Sequence, residues 1–214
     1  MNDKKSAIEK LEYFKELLNQ QKLKELFKMI ATLEMKQALI LTYRSVKEGG
    51  LGELSHEEYI NLYKIALDSG AFDIYDVELS SGTNAIITLN NMIHEANHKV
   101  IMSSHDFTRT PSLDTMLEKI KQMDSLEADI IKLAVMPEDY KDVLLVLKMT
   151  LRANEIYDKP IVTMSMSNLG IATRILGEQF GSAITFGKDN VASASGQIDI
   201  RSLKEALKIV HENS

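Results

Sequence analysis

Lys132 lies in the run DIIKLAVMP, a short apolar and β-branched stretch that reads as a strand. Strand alternation puts it on the same face as Ile130, Ala134 and Met136, a face that points inward in a βα barrel. Burial there favours the neutral amine, a nucleophile able to condense with a carbonyl into an imine. The competing reading is a strand-edge lysine that snorkels to solvent or pairs with a carboxylate. His105 follows KVIMSS at a strand end, where parallel α/β folds build their sites, and serves either as a general acid or base or as a turn cap beside Asp106. Arg44 and Glu48 in LTYRSVKEGG hold the same kind of position after the first strand. The arginine can fork onto a carboxylate or hydroxyls and the glutamate can orient a histidine; otherwise both belong to a solvated loop turned by Gly49 and Gly50.

Asp76 and Glu78 share one face of DIYDVEL, because residues two apart in a strand point the same way. If that face is inward, both carboxylates need a cationic or hydrogen-bonding partner; if outward, they are solvated. Residues 186–198, FGKDNVASASGQI, form an aperiodic loop of small residues suited to closing over a ligand. His94-Glu95-Ala96-Asn97-His98 fits H-E-x-x-H, which on a helix binds zinc through two histidines. A zinc hydrolase is therefore a remote alternative, weakened because Ile86, Leu89, Ile93 and Ala96 claim the inner face of that helix.

These residues are carried by alternating elements. Strands are expected at 37–43, 73–79, 99–103, 129–135, 160–166 and 182–186, and helices at 16–33, 57–67, 84–97, 113–125, 138–156, 171–178 and 203–211. Ser55 and Glu58 make a capping box for the second helix. Six strands at βα spacing fall short of the eight strands and about 250 residues of a closed barrel, and the deficit lies at the N-terminus. The expected fold is thus α/β of the (βα)₈ TIM-barrel type lacking its first one or two strands, a single domain over 1–214 whose residues 1–36 are a Lys/Glu/Leu-rich helical segment.

Composition narrows the function. The formal charge of −6, from 25 Lys and Arg against 31 Asp and Glu, with basic residues interleaved among acids, argues against a nucleic-acid partner. No apolar run nears the roughly 20 residues of a membrane helix, and the start MNDKKSAIEK lacks the apolar core of a secretory signal. Without cysteine there are no disulfides or thiolate metal sites, and a cytoplasmic location is the simplest expectation.

In combination, TYRSVKEGG, DVEL, SSHDF, IIKLAVMP, TMSMSNLG, ATRILGEQFGSAITFG and SASGQI resemble the type I 3-dehydroquinate dehydratases of the shikimate pathway, in the family's order, from about Glu12 to the C-terminus. The resemblance implies a cytoplasmic, homodimeric (βα)₈ barrel that converts 3-dehydroquinate to 3-dehydroshikimate through a lysine imine, with no metal or other cofactor. It implies that Lys132 condenses with the substrate ketone and that His105 helps form and hydrolyse the imine and shuttles the proton. Glu48 and Asp76 then tune and orient that histidine. Arg174 binds the substrate carboxylate and Arg44 a hydroxyl, Ser193 and Gln197 close over the substrate, and Met164 and Met166 line the pocket. The chain departs from the family where Ile8-Glu9-Lys10-Leu11-Glu12 stands in place of a second strand ending in Glu-Trp-Arg-x-Asp. Ser195 stands where proline is usual, and Ser104 replaces a bulkier polar residue. The missing strands leave open a second reading, an N-terminally truncated, weakly active or inactive remnant, and lead us to expect self-association over the exposed edge.

Overall fold

The computed structural model describes residues 20–33, 35–189 and 195–213. Five strands form one sheet in the order β1-β2-β3-β4-β5, each βα unit returning the chain beside the last. They are β1 (Ile40–Thr42), β2 (Ile74–Glu78), β3 (Lys99–Asp106), β4 (Ile130–Val135) and β5 (Ile161–Ser165). The helices are α1 (Gln20–Ala31), α2 (His56–Ser69), α3 (Thr83–Glu95), α4 (Leu113–Ser125), α5 (Tyr140–Ile156), α6 (Ile171–Ile175) and α7 (Ile200–Glu212). This is the parallel α/β class expected from the alternation. The chain divides into two compact units, Met1–Ile101 and Met102–Ser214, and β3 passes from one into the other.

In the first unit, β1 and β2 pair in parallel with Leu41 opposite Tyr75 and Thr42 opposite Asp76. The expected capping box opens α2: Ser55 Oγ accepts the Glu58 N–H, and the Glu58 carboxylate accepts the Ser55 N–H at 2.8 Å. Such a cap contributes about 1 kcal/mol. Gly70 closes the helix in a left-handed turn. Tyr59, Leu62, Tyr63, Ile65 and Ala66 form the buried face of α2, at the three-and-four spacing of an amphipathic helix. Residues 1–19, where the missing-strand motif falls, lie outside the described residues.

The H-E-x-x-H reading fails on helix geometry. α3 ends before the second histidine, with Asn97 left-handed at φ 62° and the His98 N–H donated to the Ile93 carbonyl, a Schellman-type stop. His94 and His98 therefore do not share a helix face, and the His98 ring packs edge-on against Tyr75, 5.5 Å between centroids.

In the second unit, β4 and β5 pair in parallel with Lys132 opposite Val162 and Ala134 opposite Met164. The sixth expected strand, 182–186, does not form; only Ser182 bridges Ile161, with the Ala183 N–H reaching the Ile161 carbonyl. Side-chain hydroxyls occupy the outer edge of β5 instead. The Thr163 N–H is donated to Ser182 Oγ at 3.1 Å, and the Ser165 N–H to Thr173 Oγ1 at 3.0 Å. Those donors would otherwise seek a neighbouring strand's carbonyls. The helix expected over 171–178 is likewise shorter: α6 stops at Ile175 and a 3-10 turn follows over Gly177–Phe180. Among the described residues no helix is long and apolar enough to cross a membrane.

Candidate active site

The first unit holds a cluster of charges. Arg44, just past β1, meets three carboxylates: Glu78 Oε1 accepts from its Nη1 at 2.6 Å, Asp76 Oδ2 from its Nη2 at 3.2 Å, and Glu48 Oε2 from its Nη1 at 3.4 Å. All three acids are buried, at 2%, 0% and 3% exposure, which excludes the solvated-loop and solvated-face readings of these positions. The tight turn that brings Glu48 under the arginine depends on glycine, because a Cβ on Gly50 would collide with the Arg44 carbonyl and Cγ. Burial works against the Arg44 charge, but Asp76, Glu78 and Glu48 outweigh it and hold the guanidinium above its ordinary value. Glu78 is pushed above the usual carboxylate value, chiefly by burial and further by Glu48, despite Arg44 and the Ser45 N–H.

The second unit holds an apolar wall. Ala134, Val162, Met164 and Met166 are buried together, with Ile130, Met136, Phe107, Ile184 and Phe186 packed against them. Lys132 rises from the middle of β4 on the face of Ile130, Ala134 and Met136, as alternation required, and is only 7% exposed. Its Nζ lies over the Phe186 ring, 4.7 Å from the centroid. His105, the penultimate residue of β3 and not beyond its end, is half-buried and stacks on Phe107 at 6.3 Å and 27°. Asp106 fixes the turn that follows, accepting from the Thr108 N–H, the Thr108 hydroxyl and the Arg109 N–H.

Arg174, on α6, is 1% exposed and has a quite different shell from Arg44. Its Nη1 donates to the Phe186 carbonyl at 3.3 Å and contacts Met164 Sδ at 3.6 Å; its Nη2 donates to the Ser195 carbonyl at 3.3 Å. The acceptors that the described residues offer it are all neutral, its buried Nε has none, and burial pushes the guanidinium below its ordinary value. Phe186 thus joins two sites of interest, its ring under Lys132 and its carbonyl on Arg174.

The loop after Phe186 is pinched at its base, where the Lys188 N–H reaches the Ile198 carbonyl and the Ile200 N–H returns to Lys188. Gly196, at φ 77°, lets the loop press on the Ser167 backbone where a Cβ would clash. Gln197 is half-buried there. Ser193 lies outside the described residues. Sequence reasoning placed Glu78 beside Asp76 without giving it a role, and it passed over Phe186; its signal was the position of an aromatic at the end of ITF, before the small-residue loop.

Comparison with known proteins agrees with this geometry. The family model described as Type I 3-dehydroquinase matches residues 6–214. The 3-dehydroquinate dehydratases of Shigella flexneri and Escherichia coli O6:K15:H31 are each 40% identical over 204 residues, covering 95% of this chain and 81% of the relative. A Clostridium difficile type I 3-dehydroquinate dehydratase structure, with covalently modified comenic acid, superposes with a TM-score of 0.87 at 40% identity, covering 92% of this chain and 78% of that one. The Geobacillus kaustophilus 3-dehydroquinate dehydratase gives 0.88 at 34% identity, covering 92% and 76%. These scores assign the fold to the barrel class that the sequence resemblance implied. On matched length, identity and fold together, the chain belongs to the type I 3-dehydroquinase family of hydro-lyases.

Proposed function

We propose that this chain dehydrates 3-dehydroquinate to 3-dehydroshikimate through an imine on Lys132. The observation that carries the reading is the pair of groups meeting at Phe186: a lysine amine in an apolar wall and a buried guanidinium surrounded by neutral acceptors. A buried cation that no described residue neutralises suits a ligand anion, here the substrate carboxylate, held by charge-assisted hydrogen bonds. The fixed carboxylate puts the ketone within reach of the lysine.

In this scheme the Lys132 amine adds to the ketone carbon and the carbinolamine loses water to give an iminium. The iminium acidifies the neighbouring C2–H, His105 accepts that proton, and the resulting enamine expels the C1 hydroxyl as water with the proton returned by His105. Hydrolysis of the iminium releases product and the free amine, so the net change is loss of one water. Glu48 and Asp76 orient and tune His105, Arg44 holds a substrate hydroxyl, Met164 and Met166 wall the pocket, and Ser193 and Gln197 close it. No metal or other cofactor enters the scheme. The proposal includes a single βα-barrel domain working as a homodimer in the cytoplasm on this small-molecule substrate, without nucleic acid or membrane.

The test is borohydride reduction in the presence of 3-dehydroquinate, followed by peptide mapping. The proposal requires a mass gain on the peptide containing Lys132 and none in Lys132→Ala. A folded, turning-over enzyme with no trapped lysine contradicts it.

A further inference from the structure

We infer that Glu78 is a positioning residue for Arg44, and that a chain of two tyrosine hydroxyls holds the strand that carries it. This rests on the role proposed above for Arg44. Of the three carboxylates around that arginine, Glu78 makes the closest contact, 2.6 Å against 3.2 and 3.4 Å. The same oxygen, Oε1, also accepts the Ser45 N–H at 3.0 Å. One buried atom therefore grips both the tip of the Arg44 side chain and the main chain beside its root. A guanidinium anchored at both ends keeps its direction without having to be ordered by the ligand.

The support behind Glu78 is equally specific. The Glu78 N–H is donated to the Tyr59 hydroxyl at 3.3 Å, Tyr59 donates to the Tyr63 hydroxyl at 3.2 Å, and Tyr63 donates to the Asp76 carbonyl. Tyr59 and Tyr63 stand one turn apart on the buried face of α2, at 6% and 0% exposure, so the helix itself sets their spacing. Burial keeps both phenols protonated and hence able to donate. The hydroxyl chain fixes the main chain at the two β2 residues whose carboxylates face Arg44. Burial raises the Glu78 carboxyl above its ordinary value even with Arg44 beside it. A carboxyl placed there against its own solvation is accounted for by what it orients.

The experiment measures kcat, KM and melting temperature for wild type, Glu78→Gln, Tyr59→Phe, Arg44→Lys and the Arg44→Lys/Glu78→Gln double variant. Glu78→Gln is expected to raise KM about tenfold with kcat within about twofold, and Tyr59→Phe to raise KM about threefold. In the Arg44→Lys background the Glu78→Gln effect on KM is expected to shrink below about twofold, because the group it positions has lost its fork. A melting shift with KM unchanged in both Glu78→Gln and Tyr59→Phe would overturn the inference, as would a KM effect undiminished in the double variant. A wild type that traps no lysine adduct fails the proposed function itself; one that traps normally while Glu78→Gln keeps its KM fails only this inference.

Discussion

Arg44 and Arg174 are both guanidiniums withdrawn from water, yet their surroundings are opposite. Arg44 is held by three buried carboxylates that raise its affinity for its proton, whereas Arg174 is held by two carbonyls and a thioether, and burial alone lowers it. A cation already neutralised several times over has hydrogen bonds to offer but little attraction left for an anion. A cation among neutral acceptors has the reverse balance: it is costly until an anion arrives. The contrast supports the roles proposed for the two side chains, a substrate hydroxyl for Arg44 and the substrate carboxylate for Arg174.

The largest expected effect is on stability, and it has opposite signs at the two arginines. Arg44→Met leaves three buried carboxylates without their cation and is expected to cost about 3–5 kcal/mol in denaturant unfolding. Arg174→Met removes a charge that no described residue neutralises and is expected to leave the melting temperature unchanged or higher. Equal losses at both positions would erase the comparison. Next in size, steady-state kinetics of Arg174→Met should show KM for 3-dehydroquinate raised about 100-fold, the loss of a charge-assisted fork. Smaller again is Ser182→Ala, which leaves the Thr163 N–H without its acceptor at the edge of the Lys132 wall; about 1–3 kcal/mol is expected from urea unfolding.

The smallest effect is a pH slope at Glu78. Its carboxyl is raised above 4.5 in the folded chain, so its contribution to stability is complete below the unfolded value and is lost as pH rises through the folded one. Glu78→Gln should therefore gain stability relative to wild type as pH is raised from about 4.5, read from melting temperatures across that window. The opposite slope would mean that Arg44 overcompensates for burial.

Much of this was legible in the sequence for simple physical reasons. Strand period alone turned Lys132 to the face of Ala134 and Met136, and the Ser55 and Glu58 spacing announced the start of α2. The pairing of Asp76 with Glu78 predicted a cationic partner if the face was buried, and Arg44 supplies it. What the sequence hid are interactions that join distant segments through side chains. Nothing in the run 182–186 distinguishes a strand from a segment whose first residue satisfies its neighbour by hydroxyl instead of main chain. His98 was different, since the helix expected over 84–97 already left it outside, and a left-handed Asn97 supplies the stop. Arg174 was singled out by the family resemblance alone, because nothing in the helical run 171–178 announces the neutral acceptors that surround it.

The most direct test of the two-arginine account compares 3-dehydroquinate with its C1 carboxamide counterpart in wild type, Arg174→Met and Arg44→Lys, reading kcat/KM for each pair. The account predicts an amide penalty of about 100-fold in wild type and in Arg44→Lys, and almost none in Arg174→Met. A penalty that survives in Arg174→Met, or one that disappears in Arg44→Lys, would contradict it.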